Sequence, residues 1–207
     1  YKQCYPNVHL SVIEASTIKA KHMLDTGAID LIITSQPLDQ DGYEVQLCYQ
    51  EQLIIAVPKE YQVNQKLTDN CLQWETPNTD KTMLVSLQEF EHTPFILLNR
   101  GNYLRSCTDM LFREAQIEPE VVLEVEQSSV AYNFANYGLG AAIFSSRFIS
   151  RDYFKNLKYY AIASEYAQRK GYVCFRRGCY VTTAMQQFIQ MLRNAAEEHG
   201  TMQYYLQ

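Results

Sequence analysis

The sequence has no Cys-x-x-Cys pair, no His-x-x-x-His and no Gly-x-Ser-x-Gly. Those absences remove the spacings that announce a zinc site, a metalloprotease helix and a hydrolase nucleophile. The four histidines (His9, His22, His92, His199) stand far apart, and none sits in a catalytic arrangement. No catalytic residue, metal site or cofactor motif is expected. No run approaches the roughly 18 apolar residues of a membrane span. Excess positive charge is lacking too: the net charge of −5 gives no basic face with which these 207 residues could grip a phosphate backbone.

The six cysteines (Cys4, Cys48, Cys71, Cys107, Cys174, Cys179) are dispersed. A chain this long builds its own core, so free, mostly buried thiols in a reducing cytoplasm are expected rather than a disulfide framework. The opening YKQCYPNVHL carries neither a Met nor a signal-like apolar core, and the chain reads as a piece of a longer one.

What is present is an alternation of strand and helix patterns. Segments 9–15, 29–35, 43–58, 94–99, 120–126, 141–146 and 170–176 read as strands, 43–58 being long enough for two pieces. Between them lie a helix capped at Ser16 or Thr17 and stopped at Gly27, and another with Leu104, Cys107, Thr108, Leu111 and Ala115 on one face. A third is capped by Ser128 and Ser129, and a last one starts at Thr182 or Thr183 and stops at Gly200. The stretch 59–93 gives weaker signals, with loops around NTDKT and a short helix from Ser86. Two β-α-β sets, 9–57 and 94–146, imply an α/β chain of two lobes, each a doubly wound, mostly parallel sheet.

In NYGLGAAIFSS (136–146), Gly138-x-Gly140 invites comparison with a dinucleotide loop. In such a loop the glycines follow a strand and open a helix, which places the helix amino end on the pyrophosphate. Here the order is reversed. Gly138 closes a helix and Gly140 lets the chain turn into the sheet.

Strand-to-helix junctions are the places where open α/β sheets hold ligands. ITSQP offers Thr34, Ser35 and Gln36; LLNRGNYLRS offers Asn99, Arg100, Gly101 and Tyr103, with Arg100 or Arg105 able to meet a carboxylate or phosphate; VEQSSVAY offers Ser128 and Ser129 at a helix amino end. Hydroxyls and helix amino ends favour a carboxylate or another anion, while Tyr103, Tyr132 and Phe144 equally admit a ring.

In order and spacing, YPNVHLSVIEAS, LDTGAIDLIITSQP, EQLIIAVP, PFILLNRGNYLRSCTDMLFREAQIEPEVVLEVE and SSVAYNFANYGLGAAIFSS resemble the effector-binding region of LysR-type transcriptional regulators. The most specific pieces are Gly27-Ala28-Ile29-Asp30-Leu31, Phe112 through Pro119, and Gly138-Leu139-Gly140. The resemblance implies a two-lobed fold like that of type 2 periplasmic binding proteins, with two crossovers. Residues 1–57 and 164–207 form one lobe, without its first strand, and 58–163 form the other. It implies a cytoplasmic homodimer or tetramer that binds a small, anionic effector in the inter-lobe cleft through Thr34, Ser35, Gln36, Asn99, Arg100, Gly101, Tyr103, Ser128, Ser129 and Phe144. DNA would be reached only through an N-terminal helix-turn-helix outside this sequence, and no membrane is involved.

Two other readings share the scaffold: a solute receptor of a transport system, against which the unpaired cysteines count, and a two-lobed enzyme, for which no catalytic group is found. Peroxide-sensing members carry a reactive cysteine just before the Leu-Arg pair of the second-lobe helix. Tyr103 stands there, before Leu104-Arg105, so no thiol switch of that kind is expected.

Overall fold

The computed structural model describes residues 1–72, 84–148 and 156–198. Loop NTDKT, His199 and Gly200 lie outside the described residues. The chain divides into two compact units, Tyr1–Gln50 with Lys170–His199, and Glu51–Arg169. Both changes of unit fall inside strands, at 50/51 and 169/170, whereas the family resemblance implies crossings near 57 and 163.

The first unit contains α1 (Thr17–Asp25), β1 (Ile32–Thr34), the first half of β2 (Tyr43–Pro58), most of β7 (Gln168–Arg176) and α5 (Thr183–Glu198). Ser16 caps α1 by accepting from the Lys19 amide, and Gly27 ends it at φ +74°, with the Ala28 amide donating back to the Met23 carbonyl. Thr182 caps α5 through the Met185 amide. β1 pairs antiparallel with β7 in the register Ile32–Cys174 and Thr34–Tyr172.

Segment 9–15 does not form the expected strand. Its pattern is right, but a strand needs a ladder partner. Between this segment and β1 lies a cavity of about 720 Å³, lined by Leu10, Val12, Ile32 and Thr34 among others. β1 is correspondingly short, and Ile33 is 45% exposed where two-sided burial is expected.

In the second unit the strands run in the order β6 (Leu157–Ala161), β2, β5 (Ala141–Ser145), β3 (Pro94–Leu98), β4 (Glu120–Val125). β3 pairs parallel with both β4 and β5, while β2 pairs antiparallel with β5 and β6. Residues 51–58 of β2 are buried without interruption. Leu53, Ile55 and Val57 pack on one face with Cys107, Leu111 and Phe112 of α3 (Tyr103–Glu114). Ile54 and Ala56 pack on the other with Ala131, Tyr132 and Ala135 of α4 (Ser128–Asn136). A period of two on a strand and one helix per face is what makes the run continuously apolar from Leu53 onward. A single turn of helix, α2 (Val63–Lys66), and a 3-10 turn (Leu87–Phe90), capped by Ser86 as the sequence suggests, fill the connection before β3. The strand pattern misses β6.

α4 ends as expected at Gly138 (φ +85°), where the Leu139 amide donates to the Phe134 carbonyl. Gly140 then passes so close to β3 and β4 that a Cβ would lie 3.0 Å from the Pro94 carbonyl oxygen, 3.1 Å from Ile96 Cγ1 and 3.2 Å from Val122 Cγ2. Its role is packing, not phosphate binding. Gly140→Ala therefore overpacks two strands at once. We expect a loss of about 1–3 kcal/mol in urea denaturation, with Gly42→Ala, where nothing lies within 4 Å of a Cβ, as the near-neutral control.

Candidate functional site

At the end of β1, Thr34 is tied into its own loop. Its hydroxyl accepts from the Gln36 amide at 3.0 Å and donates to the Gln36 carbonyl at 3.1 Å. Ser35 is half-buried and Gln36 exposed. Thr34 is thus a turn former first, and its hydroxyl meets a ligand only by giving up those bonds.

At the end of β3 the junction is more open. Asn99 and Arg100 are exposed, and the Asn99 side chain donates to Glu126 at 3.2 Å. Gly101 adopts φ +92° with no atom near a hypothetical Cβ, so it is there for the turn. Asn102 caps α3 by accepting from the Leu104 amide at 2.8 Å, which aims the helix amino end outward from the strand. Tyr103 opens the helix and stays 37% exposed.

Arg105 is not available to a ligand. It is 6% exposed, and its guanidinium donates to Asp109 (2.7 Å), Glu124 (2.6 Å) and the Leu98 carbonyl (2.6 Å). Burial works against its charge, but the hydrogen bonds it donates to Glu124 and Asp109 outweigh that and hold its pKa above the usual value. Reciprocally, Arg105 holds the Glu124 carboxyl below the ordinary range. This arginine pins α3 to β3 and β4.

The third junction leads from β4 into α4. The sequence suggests a serine cap, but the cap position is Gln127, and no side chain closes the helix end. The Val130 and Ala131 amides both reach the Gln127 carbonyl, at 3.1 Å each. Among the described residues, the amides of Ser128 and Ser129 have no acceptor, and neither hydroxyl returns to the helix. An uncapped amino end of this kind offers two N–H donors, two hydroxyls and the positive end of the helix dipole.

Phe144 belongs to the core. It is 1% exposed, with ring centroids 6.0 Å from Tyr132 and 5.7 Å from Phe148, and no face is left for a ligand. Tyr132 is buried at 8% beside it. The second unit therefore brings 99–103 and Ser128–Ser129 to the carboxyl ends of adjacent parallel strands. The residues that sequence reading missed there are Glu51 and Arg169, whose charges face each other across a long stretch of sequence.

Cysteines 71, 107 and 174 are buried, Cys48 and Cys179 half-buried and Cys4 exposed, all as free thiols. No group of three or more potential metal ligands occurs among the described residues. Burial pushes the Cys107 thiol above its ordinary value, outweighing the opposing Arg169 charge and the hydrogen bond to Tyr103. Cys107 is therefore a poor nucleophile. Mass spectrometry of the native protein after iodoacetamide should find Cys4 alkylated and Cys107 spared. Peroxide should produce no intramolecular disulfide; one involving Cys107 would contradict this assignment.

The wider comparisons agree with the architecture. The chain is 23% identical over 206 residues to an uncharacterised helix-turn-helix transcriptional regulator, YcgK, of Bacillus subtilis, covering 94% of this chain and 60% of that protein. It thus spans about three fifths of that relative's length. Among solved structures, the regulatory domain of Synechocystis CcmR in complex with 2-PG superposes with a TM-score of 0.74 at 17% identity, over 95% of this chain and 87% of that one. The BenM effector-binding domain with benzoate gives 0.73 at 20%, over 97% and 84%. The model of the LysR substrate binding domain matches residues 1–197, and on that match the chain belongs to the LysR substrate-binding domain family.

Proposed function

We propose that this domain senses a small acid and regulates transcription without chemical turnover. The effector is a small carboxylate or comparable anion, and the site is built on Asn99–Tyr103, Ser128 and Ser129 of the second unit. DNA is bound through a helix-turn-helix segment N-terminal to these residues. The regulator acts in the cytoplasm as a homodimer or tetramer, and the effector biases the equilibrium between its DNA-bound arrangements.

The observation that carries this reading is the uncapped amino end of α4, where two amides and two hydroxyls wait without partners beside the open Asn99–Tyr103 turn. BenM with benzoate, a carboxylate, supports the ligand class. No described helix is long and apolar enough to cross a membrane, in keeping with a regulator that reaches DNA directly.

The test is a titration of the intact protein with a panel of small carboxylates, read by calorimetry and by promoter binding. Because neither hydroxyl caps α4, Ser128→Ala/Ser129→Ala should leave the melting temperature of the unliganded protein unchanged. It should weaken the best acid by roughly 10-fold, the worth of one hydrogen bond to a charged group. Undiminished affinity and promoter response in the double variant would remove these serines from the site.

A further inference from the structure

Beneath Tyr103 lies a polar group that no sequence motif marks. Glu51 in β2 and Arg169 in β7 are the residues at which the chain enters and leaves the second unit. Their side chains are 6% and 10% exposed, and Arg169 Nε stands 3.3 Å from Glu51 Oε1. Ser145 of β5 donates its hydroxyl to the other carboxylate oxygen at 2.6 Å. The guanidinium carbon lies 5.2 Å from the centroid of the Tyr103 ring.

The geometry of this pair is unusual for its burial. Two desolvated charges repay their cost best when the guanidinium fork meets the carboxylate with two aligned hydrogen bonds. Here Arg169 Nε is buried and close to Glu51, yet it makes no hydrogen bond. The guanidinium is placed against the tyrosine ring at the expense of its alignment on the carboxylate. A planar, weakly hydrated cation suits that place; an ammonium does not.

We infer that Glu51 and Arg169 are positioning residues that hold Tyr103 as a ring platform, and that the acid sensed by this site is a planar, ring-bearing carboxylate. This rests on the assignment of Asn99–Tyr103 as part of the effector site. Glu51 anchors the guanidinium, the guanidinium fixes the ring, and Tyr103 as a residue stays 37% exposed. A cation against one part of the π system draws electron density toward itself, which favours stacking by an electron-rich carboxylate-bearing ring. An aliphatic acid of the same charge gains the polar contacts at the helix amino ends but no stacking.

Benzoate and cyclohexanecarboxylate separate these contributions, since both carry one carboxylate on a six-membered ring and only one ring is flat. Calorimetry on the intact protein should show benzoate binding roughly 2- to 12-fold more tightly, the worth of one aromatic pair. Tyr103→Leu should bring the ratio to one, and Tyr103→Phe should restore it. Arg169→Lys keeps the charge but not the flat face. It should lower the ratio while leaving cyclohexanecarboxylate affinity unchanged, a selective effect that mere loss of stability does not produce. Should Arg169→Lys fail to fold, the two Tyr103 variants carry the test alone. A ratio near one in the unaltered protein, or a ratio that survives Tyr103→Leu, would overturn the ring platform while leaving the acid-sensing site standing. If no small carboxylate binds at all, the site assignment itself fails, and the platform with it.

Discussion

The rest of the second unit depends on the burial of β2 from both faces. Leu53 through Val57 are 0% exposed, odd positions against the α3 layer and even positions against the α4 layer. Five consecutive side chains removed from water contribute on the order of 1.5–3 kcal/mol for each large one, and no other strand of the unit is so completely enclosed. Over Leu53–Val57 such a strand leaves no room for polar groups, and its buried polar side chains, Glu51 and Gln52, stand just before that stretch. Chemistry is therefore displaced to where the parallel strands end, and the open turns at Asn99 and Ser128 follow from that displacement.

Two helices must then be held in place against that core, and the structure uses different means for each. α3 is amphipathic but carries Arg105 on its inner face, fastened to Glu124 of β4 and the Leu98 carbonyl of β3. That network costs desolvation, repaid by acceptors on the guanidinium. It also fixes the azimuth of the helix, which apolar packing alone leaves free to slide. α4 is seated by small residues, Ala131 and Ala135, and after its end at Gly138 the chain passes closely across β3 and β4 at Gly140.

Much of this was legible in the sequence because it is local. The α3 stripe, the caps at Ser16 and Ser86, the stops at Gly27 and Gly138 and the runs 94–98, 120–125 and 141–145 each follow from a short period or a single residue's conformational preference. What escaped is non-local. Segment 9–15 alternates like a strand, yet alternation says nothing about whether a partner lies alongside. Phe144 counted among the aromatic residues able to admit a ring, and only the tertiary packing of Tyr132 and Phe148 shows it enclosed. Arg105 and Arg169 are indistinguishable from surface arginines until Glu124 and Glu51 arrive from distant strands. The serine pair opens a helix as expected but does not cap it, since Gln127 occupies the cap position without a side-chain bond.

That last difference separates scaffold from site. In a folded interior nearly every buried donor finds an acceptor, so the groups that do not are informative. Arg105 is matched by three acceptors, Asp109, Glu124 and the Leu98 carbonyl. Asn102 closes its helix, and Thr34 closes its turn. The amides of Ser128 and Ser129 stand at a solvent-facing helix end without a capping side chain, and the buried Arg169 Nε is held short of a hydrogen bond beside its own counter-ion. A capping side chain or a rotated guanidinium would add stability in each case, so folding stability alone does not account for either arrangement.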